Sequence, residues 1–230
     1  GWVVHRLHRR RRLTPTTVVR SGASFAGLAT GIAAGLGAGL LNRDRRAALG
    51  VAAAIGSELA LAAAGVSLEV EGQEHLWSPR PAVFVFNHQS QLDVVILAAL
   101  LRRDFTGVAK RELAADPVFA AMGWLADVAY VDRTDGCAAR ESLAPALESL
   151  AAGTSLVIAP EGTRTPTPRL LPFKKGAFHL ALQAKVPMVP VVIRNAGEVM
   201  PAGSPFLTPG TVQVRVLAPV ATDDWTAAGL

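Results

Sequence analysis

Three runs, 82–86, 155–159 and 188–193, are almost continuously apolar and too short to be helices, and they constrain the fold more than any other feature of the chain. A strand that alternates apolar and polar residues buries one face. A strand apolar throughout is covered on both faces, as happens in largely parallel sheets flanked by helices. Further β-rich runs cover 68–71, 106–109, 128–131 and 212–217, and helical patterns over 92–101, 117–122, 138–151 and 177–184 lie between them. This order predicts an α/β fold over 66–230, a mixed, largely parallel sheet covered by helices. The run 212–217 alternates through Gln213 and Arg215, and is expected to be a half-exposed edge strand. With 230 residues the chain is long enough for one such domain and a smaller appendage.

The appendage is residues 1–65. Arg6, Arg9, Arg10, Arg11, Arg12 and Arg20 fall in a stretch without acidic residues, and 22–41 then carries no charge at all. That length is close to a bilayer span, although Gly and Ala dominate it rather than Leu and Phe. Gly27, Gly31, Gly35 and Gly39 recur every fourth residue, so one helical face lets another backbone come close. The expected partner is the second Ala-rich helix, 47–66, which follows the charged turn 42–46. Arginines at both ends of the first helix favour keeping both ends on the cytoplasmic side. A membrane-associated helical hairpin lying in, or dipping into, one leaflet meets that condition, with the arginines at the head groups. Two soluble helices covering the domain are the alternative.

A net charge of +5 and a pI near 10.1 favour an anionic partner: nucleic acid, acidic phospholipid or a phosphorylated substrate. Only Trp2 accompanies the arginine cluster, which argues against stacking on nucleic-acid bases. Cys137 is the sole cysteine, so no intrachain disulfide or cysteine metal site can form, which suits a reducing compartment. His5, His8, His75, His88 and His179 show no metal-ligand spacing. The chain opens at Gly1 rather than Met, as a segment of a longer polypeptide would.

The chemistry concentrates at strand ends. Residues 87–93 read Asn-His-Gln-Ser-Gln-Leu-Asp, between the run 82–86 and the helical pattern that follows. Ligand sites of α/β sheets favour such carboxyl ends. His88 and Asp93 are five residues apart, which on a regular helix would turn them about 500° from one another. They meet only if His88 sits in the turn and folds back over the first helical turn. In the alternative, Asn87 or Ser90 caps the helix and His88 is an ordinary loop residue. After 155–159 comes Pro160-Glu161-Gly162-Thr163-Arg164: a glycine permitting a tight turn and a guanidinium suited to phosphate. Lys174 and Lys175 precede Gly176 and a helical pattern, while Lys110, Arg111 and Arg133 follow other strands. Cationic side chains thus recur at one kind of position.

Four blocks in order carry a resemblance. They are the His-x-x-x-x-Asp of 88–93, Tyr130-Val131-Asp132-Arg133, Pro160–Arg164 with Phe173-Lys174-Lys175-Gly176, and Val186-Pro187-Met188-Val189-Pro190. Together they resemble the lysophospholipid acyltransferase family, in particular its bacterial 1-acylglycerol-3-phosphate acyltransferases, over roughly 66–217. Leu92 stands where the family often has an aromatic residue, and Tyr130-Val131 where it usually has Phe-Ile. Some actinobacterial relatives carry a phosphatase-like domain ahead of this one.

The resemblance implies transfer of an acyl group from acyl-CoA or acyl carrier protein to the sn-2 hydroxyl of lysophosphatidic acid, at the cytoplasmic face of the bacterial inner membrane. Imidazole exchanges a proton near neutral pH, so His88 is expected to be the general base and Asp93 to orient it. Asn87, Glu161, Gly162, Thr163 and Arg164 are expected to bind the acceptor, assisted by Lys110, Arg133 and Lys174. No cofactor or metal is expected, the acyl donor being a substrate. A protein nucleophile is poorly supplied: Ser90 lacks a Gly-x-Ser-x-Gly elbow, and Cys137 lies outside the four blocks. A lipid hydrolase built on Ser90 and a non-catalytic lipid-binding protein are the other readings, as is acylation of another lysophospholipid or glycolipid.

Overall fold

The structure is a computed structural model that describes residues 14–115, 117–131, 143–165, 167 and 169–229; the side chains at 117–119, 121 and 122 also fall outside the description. Two helices open it, α1 (Pro15–Asn42) and α2 (Arg45–Ala64). The hydroxyl of Thr14 caps α1 by accepting the Thr17 N–H, and the Asp44 carboxylate caps α2 through the Arg46 and Ala47 N–H groups. Helix α1 begins seven residues before the uncharged stretch because this cap and Pro15 start it earlier. The glycine face packs on α2 as the four-residue repeat predicts. A methyl group added at Gly31 would lie 2.3 Å from the Gly56 Cα, a distance that only two bare backbones can keep. Within this contact the Ser24 hydroxyl donates to the Ala60 carbonyl at 2.9 Å.

The α/β sandwich follows through β1 (Val66–Glu71), β2 (Val83–Phe86), α3 (Leu92–Leu101), β3 (Phe105–Lys110), α4 (Pro117–Ala126) and β4 (Ala129–Val131). Then come α5 (Ala144–Ala151), β5 (Ser155–Ile158), α6 (Gly176–Ala184), β6 (Met188–Arg194), the short α7 (Ala196–Val199) and β7 (Gly210–Val216). Residues 138–142 of the predicted helix 138–151, and Arg133, lie outside the described residues.

The seven strands form one sheet in the order β1-β7-β6-β2-β5-β3-β4. All neighbours are parallel except β6 and β7, so the sheet is mixed and largely parallel. In β2, Phe84 and Phe86 face a core with α3, while Val83 faces a second core with α5 and α6. That two-sided burial explains a run with no polar residue. The expectation for 212–217 fails: β7 lies between β1 and β6, and β1 is the edge. Its alternation comes from a solvent-facing side, on which Arg215 pairs with Glu71 and Gln213 bonds Glu69 across the β1 ladder.

The hairpin packs outside α3. Its turn is fastened to the amino-terminal edge of the parallel strands, where Arg45 pairs with Asp127 at 3.1 Å and Arg46 donates to the Ala152 carbonyl. The beginning of α1 reaches the opposite edge, where the Leu207 N–H donates to the Ser21 hydroxyl at 2.9 Å. Arg80 braces the amino-terminal edge by donating to the carbonyls of Leu76 and Arg103 and lying over the Trp77 ring. Burial lowers its pKa, against the opposing pull of Asp104.

Candidate active site

The site gathers at the carboxyl-terminal edge, where β2 and β5 lie side by side. Beyond Phe86 the chain cannot run straight into α3, because Asn87 fixes it to β6. Its amide donates to the Ile193 carbonyl at 2.8 Å and accepts the Ile193 N–H at 2.8 Å. The Asn87 side chain therefore ties the end of β2 to β6.

From this anchor, residues 88–91 turn before the helix begins, and the turn lets His88 reach Asp93. His88 Nδ1 lies 2.9 Å from Asp93 Oδ2. The same oxygen accepts the N–H groups of Gln89 and Ser90, each at 2.8 Å. Asp93 is completely buried, and its Oδ1 has no hydrogen-bond partner among the described residues. An ionised carboxylate only accepts, so this contact favours the imidazole tautomer with its hydrogen on Nδ1 and its lone pair on Nε2. The imidazole stands edge-on to Phe86, with ring centroids 5.4 Å apart, and its side chain is 19% exposed. One ring nitrogen is thereby fixed and the other left to the site.

Ser90 is fully buried, and its hydroxyl donates to the Met200 carbonyl at 2.7 Å while accepting the Leu92 N–H. It thereby ties the start of α3 to the segment after α7. A hydroxyl so placed is no nucleophile, and the hydrolase reading loses its reacting group.

The turn after β5 holds the His88 backbone from both sides. The His88 N–H donates to Glu161 Oε1 at 3.0 Å, and the Thr165 N–H donates to the His88 carbonyl at 2.9 Å. Glu161 Oε2 accepts the Leu171 N–H at 2.7 Å, and the residue is 2% exposed. Both carboxylate oxygens are thus committed to backbone groups. Glu161 thus holds the His88 backbone and the loop after the turn. Thr165 gave no sequence signal, since its contribution is a backbone N–H.

Gly162 has φ +72°, and the Lys174 stem lies over it, 3.0 Å from where a Cβ would sit. Glycine serves both needs. The Lys174 N–H donates to the Pro160 carbonyl, bringing the loop back onto the turn. Arg164 is the other group to note: its Nη1 is buried and has no hydrogen-bond partner among the described residues. An orphaned guanidinium nitrogen is costly unless something anionic meets it. Thr163 is exposed on the same turn, and Lys110 is exposed at the end of β3, two strands from β2. Tyr130, in the middle of β4, has its pKa raised by burial. A cleft of about 560 Å³ lined by Arg45, Asp104 and Asp127 lies at the amino-terminal edge, and no member of this site lines it.

A histidine oriented by a buried carboxylate beside a cationic turn, at the carboxyl edge of a largely parallel sheet, is an arrangement suited to base-assisted chemistry on an anionic substrate. Residues 67–194 match the protein family described as Acyltransferase, and the chain belongs to that family. A 1-acyl-sn-glycerol-3-phosphate acyltransferase of Limnanthes alba is 36% identical over 163 residues, covering 70% of this chain and 57% of the relative. The human 1-acyl-sn-glycerol-3-phosphate acyltransferase alpha is 38% identical over 165 residues, covering 70% of this chain and 58% of that protein. The matched region thus spans somewhat over half the length of these curated relatives. The crystal structure of the 1-acyl-sn-glycerophosphate (LPA) acyltransferase from Thermotoga maritima shares the fold, with a TM-score of 0.75 at 24% identity, over 92% of this chain and 88% of that one.

Proposed function

We propose that this protein transfers a fatty acyl group from acyl-CoA, or from acyl carrier protein, to the sn-2 hydroxyl of lysophosphatidic acid, giving phosphatidic acid. The observation that carries the reading is the His88–Asp93 contact, with the turn that clamps the His88 backbone carrying a buried Arg164 Nη1 that has no partner among the described residues. The activities for which the relatives are named point the same way. His88 Nε2 takes the proton of the acceptor hydroxyl as its oxygen attacks the thioester carbonyl. Collapse of the tetrahedral intermediate breaks the carbon–sulfur bond, and the imidazolium returns the proton to the departing thiolate. Asp93 holds the ring and stabilises the imidazolium. Arg164 meets the acceptor phosphate, with Thr163, Lys174, Lys110 and Arg133 as further contacts. No enzyme-bound ester, metal or cofactor enters this scheme.

The acceptor is membrane-borne. Helices α1 and α2 are both long and apolar enough to cross a bilayer, and Leu36, Leu40 and Leu41 stand exposed on α1. The hairpin seats in one leaflet, at the cytoplasmic face of a bacterial inner membrane, with its arginines among anionic head groups. The test is to incubate purified protein with a panel of lysolipids and with acyl-CoA or acyl carrier protein, followed by lipid mass spectrometry. Phosphatidate as the main product supports the assignment. Acylation of a different lysophospholipid or glycolipid replaces the acceptor, and bound lysolipid without thiol release replaces the enzyme by a lipid-binding protein.

A further inference from the structure

The loop between the cationic turn and α6 carries two large apolar side chains in the open, Leu170 at 58% and Phe173 at 51% exposure. The fold holds this loop still. The Leu171 N–H is bound by buried Glu161, the Lys174 N–H by the Pro160 carbonyl, and the Phe173 ring stacks on Phe178 at 6.3 Å. A chain that fixes a loop at such cost, yet leaves its apolar tips in water, has a covering surface in view.

The charges around the tips say what kind. Arg169, Lys174 and Lys175 are exposed beside them, and no Asp or Glu occurs in the sequence between Glu161 and Glu198. Other exposed apolar residues share this edge of the sheet: Val18 and Val19 at the start of α1, and Val94 in the first turn of α3. Three separate segments thus bring apolar side chains to the rim on which His88 opens. Apolar tips flanked by cations match an interface in which acyl chains lie under anionic head groups.

We infer that the loop 169–175 is a second membrane contact, distinct from the helical hairpin, which seats the mouth of the active site on a bilayer containing anionic phospholipid. This rests on the reading of a membrane-borne acceptor. The loop hangs from the same carboxylate that holds the His88 backbone, so seating it sets the base at a fixed height over the lipid surface.

A spin label at Leu170→Cys, in protein carrying Cys137→Ser, tests the location without requiring turnover. With vesicles of phosphatidylglycerol and phosphatidylcholine, the label at 170 should gain oxygen accessibility and lose accessibility to a water-soluble nickel chelate. A label at Gln213→Cys, on the polar face of β7, should show neither change. Equal nickel accessibility at 170 with and without vesicles overturns the inference, whatever the enzyme acylates. In the paired activity measurement, Leu170→Ser with Phe173→Ser should slow acylation of vesicle-borne acceptor about tenfold and leave detergent-dispersed acceptor within about twofold. An equal fall on both presentations also overturns it. Failure of wild type to acylate either acceptor would instead remove the lysophosphatidate reading, and the depth measurement would stand on its own.

Discussion

Arg164 and Glu161 are three residues apart on one turn and play opposite parts. Arg164 offers a buried nitrogen with no partner among the described residues, so Arg164→Ala should raise the KM for lysophosphatidate about 10- to 100-fold with little change in kcat. An unchanged KM takes it out of the phosphate contact. Glu161 has both oxygens occupied by the His88 and Leu171 N–H groups. Glu161→Gln turns an NH2 group toward one of those donors, so kcat should fall about tenfold while the acceptor KM holds. A rise in KM alone would return Glu161 to the acceptor. The residue types of this site were readable in the sequence, but their division of labour was not. A carboxylate beside a glycine at a strand end looks like a ligand until its burial is known. The five-residue spacing of His88 and Asp93 argues against contact on a helix, and the contact forms because the Gln89 and Ser90 N–H groups wrap onto Asp93.

At the scale of elements, the hairpin depends on bare backbone. A valine at Gly31 would press on Gly56, and such overpacking costs about 1–3 kcal/mol. Gly31→Val should therefore lower the thermal midpoint in detergent, whereas Gly37→Ala, with nothing within 4 Å of its Cβ position, should not. Equal midpoints for the two variants would deny the close contact. This pairing was legible because a four-residue glycine repeat has one structural use. Continuous apolar runs likewise placed β2, β5 and β6 correctly. The reading of β7 failed for a physical reason: alternation reports water on one face, and says nothing of whether both edges are paired. Backbone clamps such as Thr165 to His88 left no trace in the sequence, since any residue but proline supplies an N–H.

For the molecule as a whole, the two long helices and the site occupy different parts of one body, joined where the start of α1 meets Leu207. Exposed Leu40 and Leu41, at 82% and 86%, need lipid on the proposed seating. Leu40→Asp with Leu41→Asp should weaken vesicle flotation about tenfold or more, and unchanged flotation would leave the hairpin a soluble cover. The proposed reaction rests on direct transfer assisted by an oriented imidazole. The most direct measurement is phosphatidate formation and CoA release from lysophosphatidate and acyl-CoA, compared between the wild-type protein and His88→Ala. The account predicts one CoA released per phosphatidate formed, and a kcat lower by about two to four decades in the variant. Near-normal turnover without His88, or acyl groups accumulating on the protein before phosphatidate forms, would contradict it.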